Sequence, residues 1–95
     1  MNKHALSAVS QQIIVAKYIH KNVSINRYEA DAIGVCHLAG RIKELKDKGI
    51  KFDWIDQLVN DPHGIEHKGV RRYWFDYGAM TQLQIEKLNK LLKKS

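Results

Sequence analysis

Two residue pairs have side chains that could do catalytic or metal chemistry: Cys36 beside His37, and His63 four residues before His67. Neighbouring residues on a helix point about 100° apart, so Cys36 and His37 are poorly placed to share a proton as nucleophile and base. The histidine pair has a metal-like spacing, but no cysteine or carboxylate pair completes a tetrahedral ligand set. No glycine-rich phosphate loop accompanies them. These observations predict a protein that is not an enzyme, has no catalytic or metal residues, and needs no cofactor.

The length and composition predict one folded domain spanning residues 1–95. A chain of this size supports a single modest core. Its 44% hydrophobic and 27% charged residues are typical of a globular protein. Cys36 is the one cysteine, which excludes a disulfide framework and fits a reducing cytosol.

The charge balance predicts a polyanionic partner. Sixteen lysines and arginines against ten acidic residues give a net charge of +6, which suits a nucleic acid or an anionic membrane surface. The N-terminus lacks the features of a secretory leader, and no window approaches the ~18 apolar residues of a membrane span. We therefore expect a cytoplasmic protein without a membrane partner.

Apolar residues at helical spacing predict a helix at each end of the chain. The first covers residues 8–22. Its apolar stripe consists of Val9, Ile13, Ala16 and Ile19. The last is expected from about 82 to 94, where Thr81 precedes Gln84 in a capping-box arrangement. Its apolar seam consists of Ile85, Leu88 and Leu92. That seam could pack on the first helix of the same chain or on a partner subunit, and a homodimer through this helix is one expectation.

Two further helices are predicted in the middle, separated by a short turn. Asn26 and Glu29 form a second capping box, so a helix begins at Arg27 and ends near Gly34, a residue suited to the left-handed conformation past a helix end. A third helix is expected over about 37–48 and closes at Gly49. Its inward side consists of Leu38, Ile42 and Leu45.

Beyond Gly49 the apolar period changes to that of strands. Residues 50–54 and 72–77 alternate, and the turn-forming residues 60–64 lie between them, so a β-hairpin is predicted over 50–77. Trp54, Tyr73 and Phe75, and with them Trp74, are more typical of core and cross-strand pairs than of stacking platforms for single-stranded nucleic acid. The first strand carries Asp53, Asp56 and Asp61, so we expect it to face away from phosphates.

The order of helix, short helix, turn, helix and hairpin is that of a helix-turn-helix unit followed by a wing. The stretch VSINRYEADAIGVCHLAGRIKELKDKGIKF also resembles the helix-turn-helix domain of small phage and prophage DNA-binding proteins. The likeness is carried by an Ala-containing second helix that ends at Gly, a Leu-Ala-x-Arg-Ile-x-x-Leu run, and a Lys-Gly-Ile step into the wing. It covers about residues 13–77, and the last helix lies outside it.

The predicted fold is therefore α+β, a winged helix-turn-helix. A three-helix bundle spans 8–49 with the helix-turn-helix at 26–49, the wing spans 50–77, and an extra C-terminal helix spans 79–95. The resemblance implies a phage-encoded or mobile-element regulator of transcription that binds double-stranded DNA at an operator. Two alternatives stay open: a protein-interaction module, such as a phage inhibitor of a host protein, and an excisionase-like or replication-accessory architectural protein.

Candidate DNA contacts follow from this fold. On the third helix the outward half is expected to carry the groove residues: His37, Arg41 and Glu44 for base edges, Lys43 and Lys48 for phosphates. The wing and the start of the second helix are expected to contact the backbone through Lys68, Arg71, Arg72, Asn26 and Arg27. The competing interpretation is a solvated helix face on which Glu44 pairs with Lys48.

Overall fold

The computed structural model describes residues 7–94, so residues 1–6 and Ser95 of the predicted domain lie outside the described part. The described chain is α+β, with four α-helices and one three-stranded antiparallel sheet. The elements, in order, are α1 (Ala8–Asn22), β1 (Ser24–Ile25), α2 (Arg27–Ala32), α3 (Leu38–Asp47), β2 (Phe52–Asn60), β3 (Glu66–Phe75), a short 3-10 helix (Tyr77–Ala79) and α4 (Gln82–Leu92). Within residues 7–94, no helix is both long enough and apolar enough to cross a membrane.

The helix ends follow the local chemistry of the sequence. The Asn26 side chain accepts hydrogen bonds from the backbone N–H groups of Tyr28 and Glu29, and the Glu29 carboxylate accepts one from the backbone of Asn26 at 2.9 Å. This capping box satisfies N–H groups that the first helical turn leaves unpaired. Gly34 and Gly49 follow α2 and α3 with φ of +89° and +98°, a region that favours glycine. The predicted box at the start of α4 is also present.

The sheet has the order β1-β3-β2 and differs from the prediction in two ways. First, β1 is a two-residue strand, not predicted from the sequence, that pairs Ser24 with Trp74 and Ile25 with Tyr73. Second, the hairpin strands continue well past the aromatic residues, with an irregularity in register between Gln57 and Val59. The hairpin is therefore a long ribbon whose base lies on the core and whose far half projects.

One apolar core joins the helices to the base of the sheet. Leu38, Ile42 and Leu45 are buried, as predicted, and pack with residues of α1, β1, β3 and α4. Leu88 of α4 is fully buried, so the predicted apolar seam of this helix packs inside its own chain. Val9 is 51% exposed although it was counted in the α1 stripe. Instead α1 turns Gln12, which is 4% exposed, toward α3.

Candidate nucleic-acid interface

The outward face of α3 is basic but narrower than predicted. Lys43 and Lys46 are exposed there, together with Ala39 and Asp47. The Lys43 ammonium lies 3.7 Å from the Asp47 carboxylate, and both side chains remain more than two-thirds accessible at 79% and 69%. A pair this exposed contributes little to stability, so Lys43 is free to exchange its partner for a phosphate. Lys46 was not among the predicted contacts, because it lies one turn from Ile42 at the edge of the buried stripe.

Arg41 and Glu44, predicted to reach base edges, face α1 instead. The Arg41 Nη2 atom donates to Glu44 Oε2 at 3.1 Å, and Nη1 donates to the Gln11 side chain at 3.4 Å. Arg41 Nε lies 2.8 Å from Glu44 Oε1 without hydrogen-bond alignment, which makes this an ion-pair contact only. Gln12 donates to the same carboxylate at 3.0 Å. The Arg41 side chain is only 17% exposed. These contacts fix α1 against α3 and do not favour base readout by either residue.

Lys48, predicted to meet phosphate, is also engaged by α1, because its ammonium donates to the Gln12 side chain. The alternative pairing of Glu44 with Lys48 does not form, since both residues bond to Gln12 and Glu44 takes Arg41 as its ionic partner. A buried glutamine in α1 therefore organises one side of the supposed recognition helix.

The start of α3 is open to solvent. His37 is exposed at the N-cap position and makes no side-chain capping bond, so its ring is not committed to the helix end. Cys36, next to it, is also exposed. Gly40 lies one turn further on, and a Cβ added there would meet nothing closer than the His37 Cβ at 3.9 Å. His37 and the open surface at Gly40 lie at the end of α3 that usually approaches bases in helix-turn-helix proteins.

The hairpin presents a second basic surface at Arg71 and Lys68, both exposed. The Arg71 guanidinium lies 3.6 Å above the centre of the Trp54 ring, and its Nε is 3.6 Å from the Asp56 carboxylate directly across the ribbon. Trp54 remains 42% exposed. Stacking on the indole reduces the freedom of the guanidinium while leaving its charge accessible. The other predicted core aromatics, Tyr73 and Phe75, are buried.

Arg72, also predicted to contact DNA, is half-buried and held by contacts within the molecule. Its guanidinium donates to the Gln57 side chain and to the Ser24 hydroxyl, each at 2.9 Å. It also forms a two-pronged pair with the Glu29 carboxylate, at 2.9 and 3.1 Å. The Arg72 side chain is 22% exposed. It therefore ties together β1, α2 and both hairpin strands, and this placement does not favour a phosphate contact.

Of the two residues predicted to contact DNA at the start of α2, one is buried and the other is exposed. Asn26 is 4% exposed and its side-chain oxygen is occupied by the capping bonds. Arg27 is exposed, bonds to the Tyr28 hydroxyl at 3.1 Å and lies 5.0 Å from the centre of that ring. Arg27 can extend the basic surface, while Asn26 acts through the helix it caps.

Asp61 organises the turn of the hairpin. Its carboxylate accepts from the backbone N–H groups of His63 and Ile65, and its other oxygen lies 2.9 Å from Nε2 of His67. The hydrogen bond to His67 and the one from the Ile65 backbone hold the pKa of Asp61 below its ordinary value. The His67 ring also lies 5.7 Å from that of Tyr28 in α2. Within residues 7–94, no group of three or more histidine, cysteine or acidic side chains could hold a metal ion.

Comparison of the chain with protein-family models, curated proteins and solved structures gave no match.

The exposed cations on α2, α3 and the hairpin are Arg27, Lys43, Lys46, Lys68 and Arg71.

Proposed function

We propose that the chain is a winged helix-turn-helix protein that binds duplex DNA and regulates transcription. The order of the elements and the position of β3 between β1 and β2 support this fold. Two short helices joined through Gly34 precede a long hairpin, which is the arrangement in which a second helix enters the major groove and a wing follows the flanking backbone.

The observation that carries the proposal is the two-sided character of α3. One side is buried through Leu38, Ile42 and Leu45, and the side left open presents Lys43 and, nearer the buried stripe, Lys46 to solvent. A major groove about 12 Å wide accepts an α-helix. Lysines on the exposed side would then meet phosphates at the groove edges, and His37 near the N-terminus would approach base edges.

The wing would add contacts outside the major groove. Arg71 is held over Trp54 and Lys68 lies nearer the turn, so their charges project along the ribbon. With Arg27 and the two lysines of α3, five exposed cations are available for phosphates. If all five acted, log K would fall with log salt with a slope of about −4.5, at ~0.9 per neutralised phosphate in duplex DNA.

The test is fluorescence anisotropy with the DNA upstream of the protein's own gene and with a scrambled duplex, at low salt and at ~0.15 M salt, where nonspecific phosphate binding is much weaker. A sequence-reading regulator prefers the upstream duplex at the higher salt. Equal binding to both duplexes would favour an architectural protein instead, and absence of binding to either would contradict the proposal.

A paired substitution locates the contact surface. Lys43→Ala together with Lys46→Ala should reduce the magnitude of the salt slope by about 2, because each removes one phosphate contact. Lys21→Ala is the matched control, since Lys21 is an exposed lysine of α1 outside α3 and the hairpin. A larger loss of slope from the control than from the pair would exclude α3 as the DNA-contacting helix.

A protein-interaction module is the second candidate, because β2 exposes several large apolar side chains. Trp54, Ile55 and Leu58 are 42%, 55% and 61% exposed. Trp54 and Ile55 are successive residues of the strand, so they offer apolar contacts to a protein partner on both faces of β2. A stable complex with a host protein that survives nuclease treatment, in a chain that does not bind duplex DNA, would favour this function.

A further inference from the structure

The positive charge of the chain is concentrated on its first and last helices. Residues 23–81, which include α2, α3 and the hairpin, contain nine lysines and arginines and nine acidic residues, so their net charge is zero. Helix α1 has two lysines and no acidic residue, and residues 82–94 have four lysines against Glu86 alone. These two segments therefore supply +5 of the net charge of +6, and Lys3, outside the described residues, supplies the rest. The contacts proposed for α3 and the wing leave this excess charge without a role.

Five exposed lysines of α1, α4 and the two residues after α4 form a basic surface, which we call the α4 surface. Its members are Lys17, Lys87, Lys90, Lys93 and Lys94. Lys17 and Lys93 line a groove between α1 and α4. Lys87, Lys90 and Lys94 line a second groove, between α4 and the residues that follow α3. None of the five forms an ion pair with another residue in 7–94, so their charges are available to an anionic partner.

The α4 surface lies on a different side of the molecule from the proposed contacts of α3. Lys48 shows this, because it bonds to Gln12 of α1 and also lines the second groove with Lys87. At about 100° per residue, Lys43 and Lys48 point about 140° apart around the axis of α3. Lys43 is exposed on the flank that α1 leaves open. One copy of the protein therefore presents two basic surfaces that point in different directions.

The residues of the α4 surface favour a phosphate backbone over other anionic partners. Protein interfaces are depleted in lysine and enriched in aromatic residues, and single-stranded nucleic acids bind by stacking on aromatic rings. Neither groove is lined by a tryptophan, tyrosine or phenylalanine. A helix that lies on a membrane needs an exposed apolar face, whereas Leu88 and Leu91 of α4 are buried in the core. Lysine, in contrast, binds phosphate as a point charge.

A duplex supplies negative charge at sufficient density for this surface. The 11 residues of α4 extend about 16 Å along the helix axis. Duplex DNA has one negative charge per ~1.7 Å of its axis, so a segment of this length has roughly ten phosphates. The five lysines can therefore each meet a phosphate without contacting bases.

We propose that the α4 surface binds the phosphate backbone of a second DNA duplex, so that one copy of the protein holds two duplex segments together. The first segment lies on α3 and the wing, and in this part the inference rests on the proposed function. Contacts between lysine and phosphate carry no sequence information, so the second segment can have any sequence.

A capture assay tests the proposal. The upstream duplex is fixed to beads, the protein is added, and retention of a labelled scrambled duplex is measured at about 0.1 M salt. Three double variants each remove two positive charges: Lys87→Gln with Lys90→Gln on the α4 surface, Lys43→Gln with Lys46→Gln on α3, and Lys21→Gln with Lys51→Gln as the control. Lys21 and Lys51 are exposed and belong to neither surface. Circular dichroism first establishes that all three variants are folded.

We expect the wild type and the control to retain the labelled duplex. The α4 and α3 variants should retain at least ~10-fold less, because each lost phosphate contact weakens binding steeply at this salt concentration. An equimolar mixture of these two variants should retain no more than either alone, since no copy in it has both surfaces. A labelled single strand should be retained more weakly than the duplex. In anisotropy with one duplex, the α4 variant should keep the preference for the upstream sequence.

Four results would overturn the proposal: no retention by the wild type, full retention by either the α4 or the α3 variant, a loss in the control as large as in the α4 variant, or stronger retention of the single strand. Retention restored by the mixture would also overturn it, because the two duplexes would then be joined through association between copies.

The same measurements separate this proposal from the proposed function. A wild type that prefers the upstream duplex but retains no second duplex keeps the regulatory function and lacks the second surface. A wild type that joins two duplexes without sequence preference has the second surface and is not a sequence-reading regulator. Absence of all duplex binding would contradict both proposals.

Discussion

Replacement of Arg72 by alanine should destabilise the fold strongly. The guanidinium donates four hydrogen bonds, one each to Gln57 and Ser24 and two to Glu29. Removal of one partner of a fully buried ion pair costs ~3–5 kcal/mol. The Arg72 and Glu29 side chains are 22% and 33% exposed, so the remaining carboxylate recovers part of its hydration. We therefore expect a loss of about 2–4 kcal/mol, and a melting temperature lower by roughly 10–20 °C for a domain of this size.

Arg71→Ala is the matched control, because Arg71 precedes Arg72 in the same strand and has the same charge. Its side chain is 45% exposed and contacts only exposed groups of Trp54 and Asp56, so the expected loss of stability is ~1 kcal/mol or less. Its effect should fall on DNA binding, with a salt slope smaller in magnitude by ~1. Urea unfolding followed by circular dichroism gives the first quantity, and anisotropy at several salt concentrations gives the second.

The opposite pattern would refute this division of roles. If Arg72→Ala unfolds within ~0.5 kcal/mol of the wild type, the level typical of surface substitutions, and also lowers the salt slope, Arg72 serves DNA and its internal bonds are dispensable. The double variant with Glu29→Gln adds a further check. Because the two side chains form one pair, their combined cost should be less than the sum of the single costs.

Three other perturbations test features of the fold. Gly49→Ala should destabilise the chain by about 1–2 kcal/mol in thermal unfolding, because φ is +98° and the new Cβ would lie 3.3 Å from Gln84; an unchanged stability would contradict this. Gly40→Ala should stabilise α3 by up to ~1 kcal/mol and leave DNA affinity unchanged; weaker DNA binding by a more stable variant would show that the backbone there must be approached closely. Because the bond to His67 lowers the pKa of Asp61, its ionised form stabilises the hairpin turn above pH 3.8, and this contribution is lost as the pH falls below that value. Amide NMR shifts of the turn should therefore titrate with a midpoint below 3.8, and a midpoint above it would contradict the hydrogen-bonded geometry.

The helix ends could be predicted from the sequence because their determinants are local. A capping side chain, the residue three positions on and a glycine past the end all lie within one turn, and the structure has them at Asn26, Gly34, Gly49 and Thr81. The two-residue strand β1 could not be found in this way. Its pairing with Tyr73 and Trp74 joins residues far apart in the sequence, and a strand of that length has no period of its own.

The orientation of α3 was predicted correctly for its buried side and wrongly for part of its outer side. Counting 100° per residue from Leu38, Ile42 and Leu45 gives the inward direction, but it does not show which flank another helix covers. Here α1 covers the flank of Arg41 and Glu44 by means of Gln11, which lies outside the predicted apolar stripe, and Gln12, which precedes Ala16 and Ile19 of that stripe by four and seven residues. Which flank of α3 is covered depends on how α1 packs against it, and for this reason the exposed flank with Lys46 was missed.

The adjacent arginines 71 and 72 show how a charge cluster in sequence divides in the fold. Successive side chains of a strand point to opposite faces, so only one of the two can lie beside Trp54. The register of β3 decides which one, and that register depends on pairing with β1 and on the irregularity between Gln57 and Val59. A shift by one residue would exchange their roles. The count of lysines and arginines therefore overstates the charge available to any anionic partner, and the available part is set by contacts such as the one between Arg72 and Glu29 that only the folded chain contains.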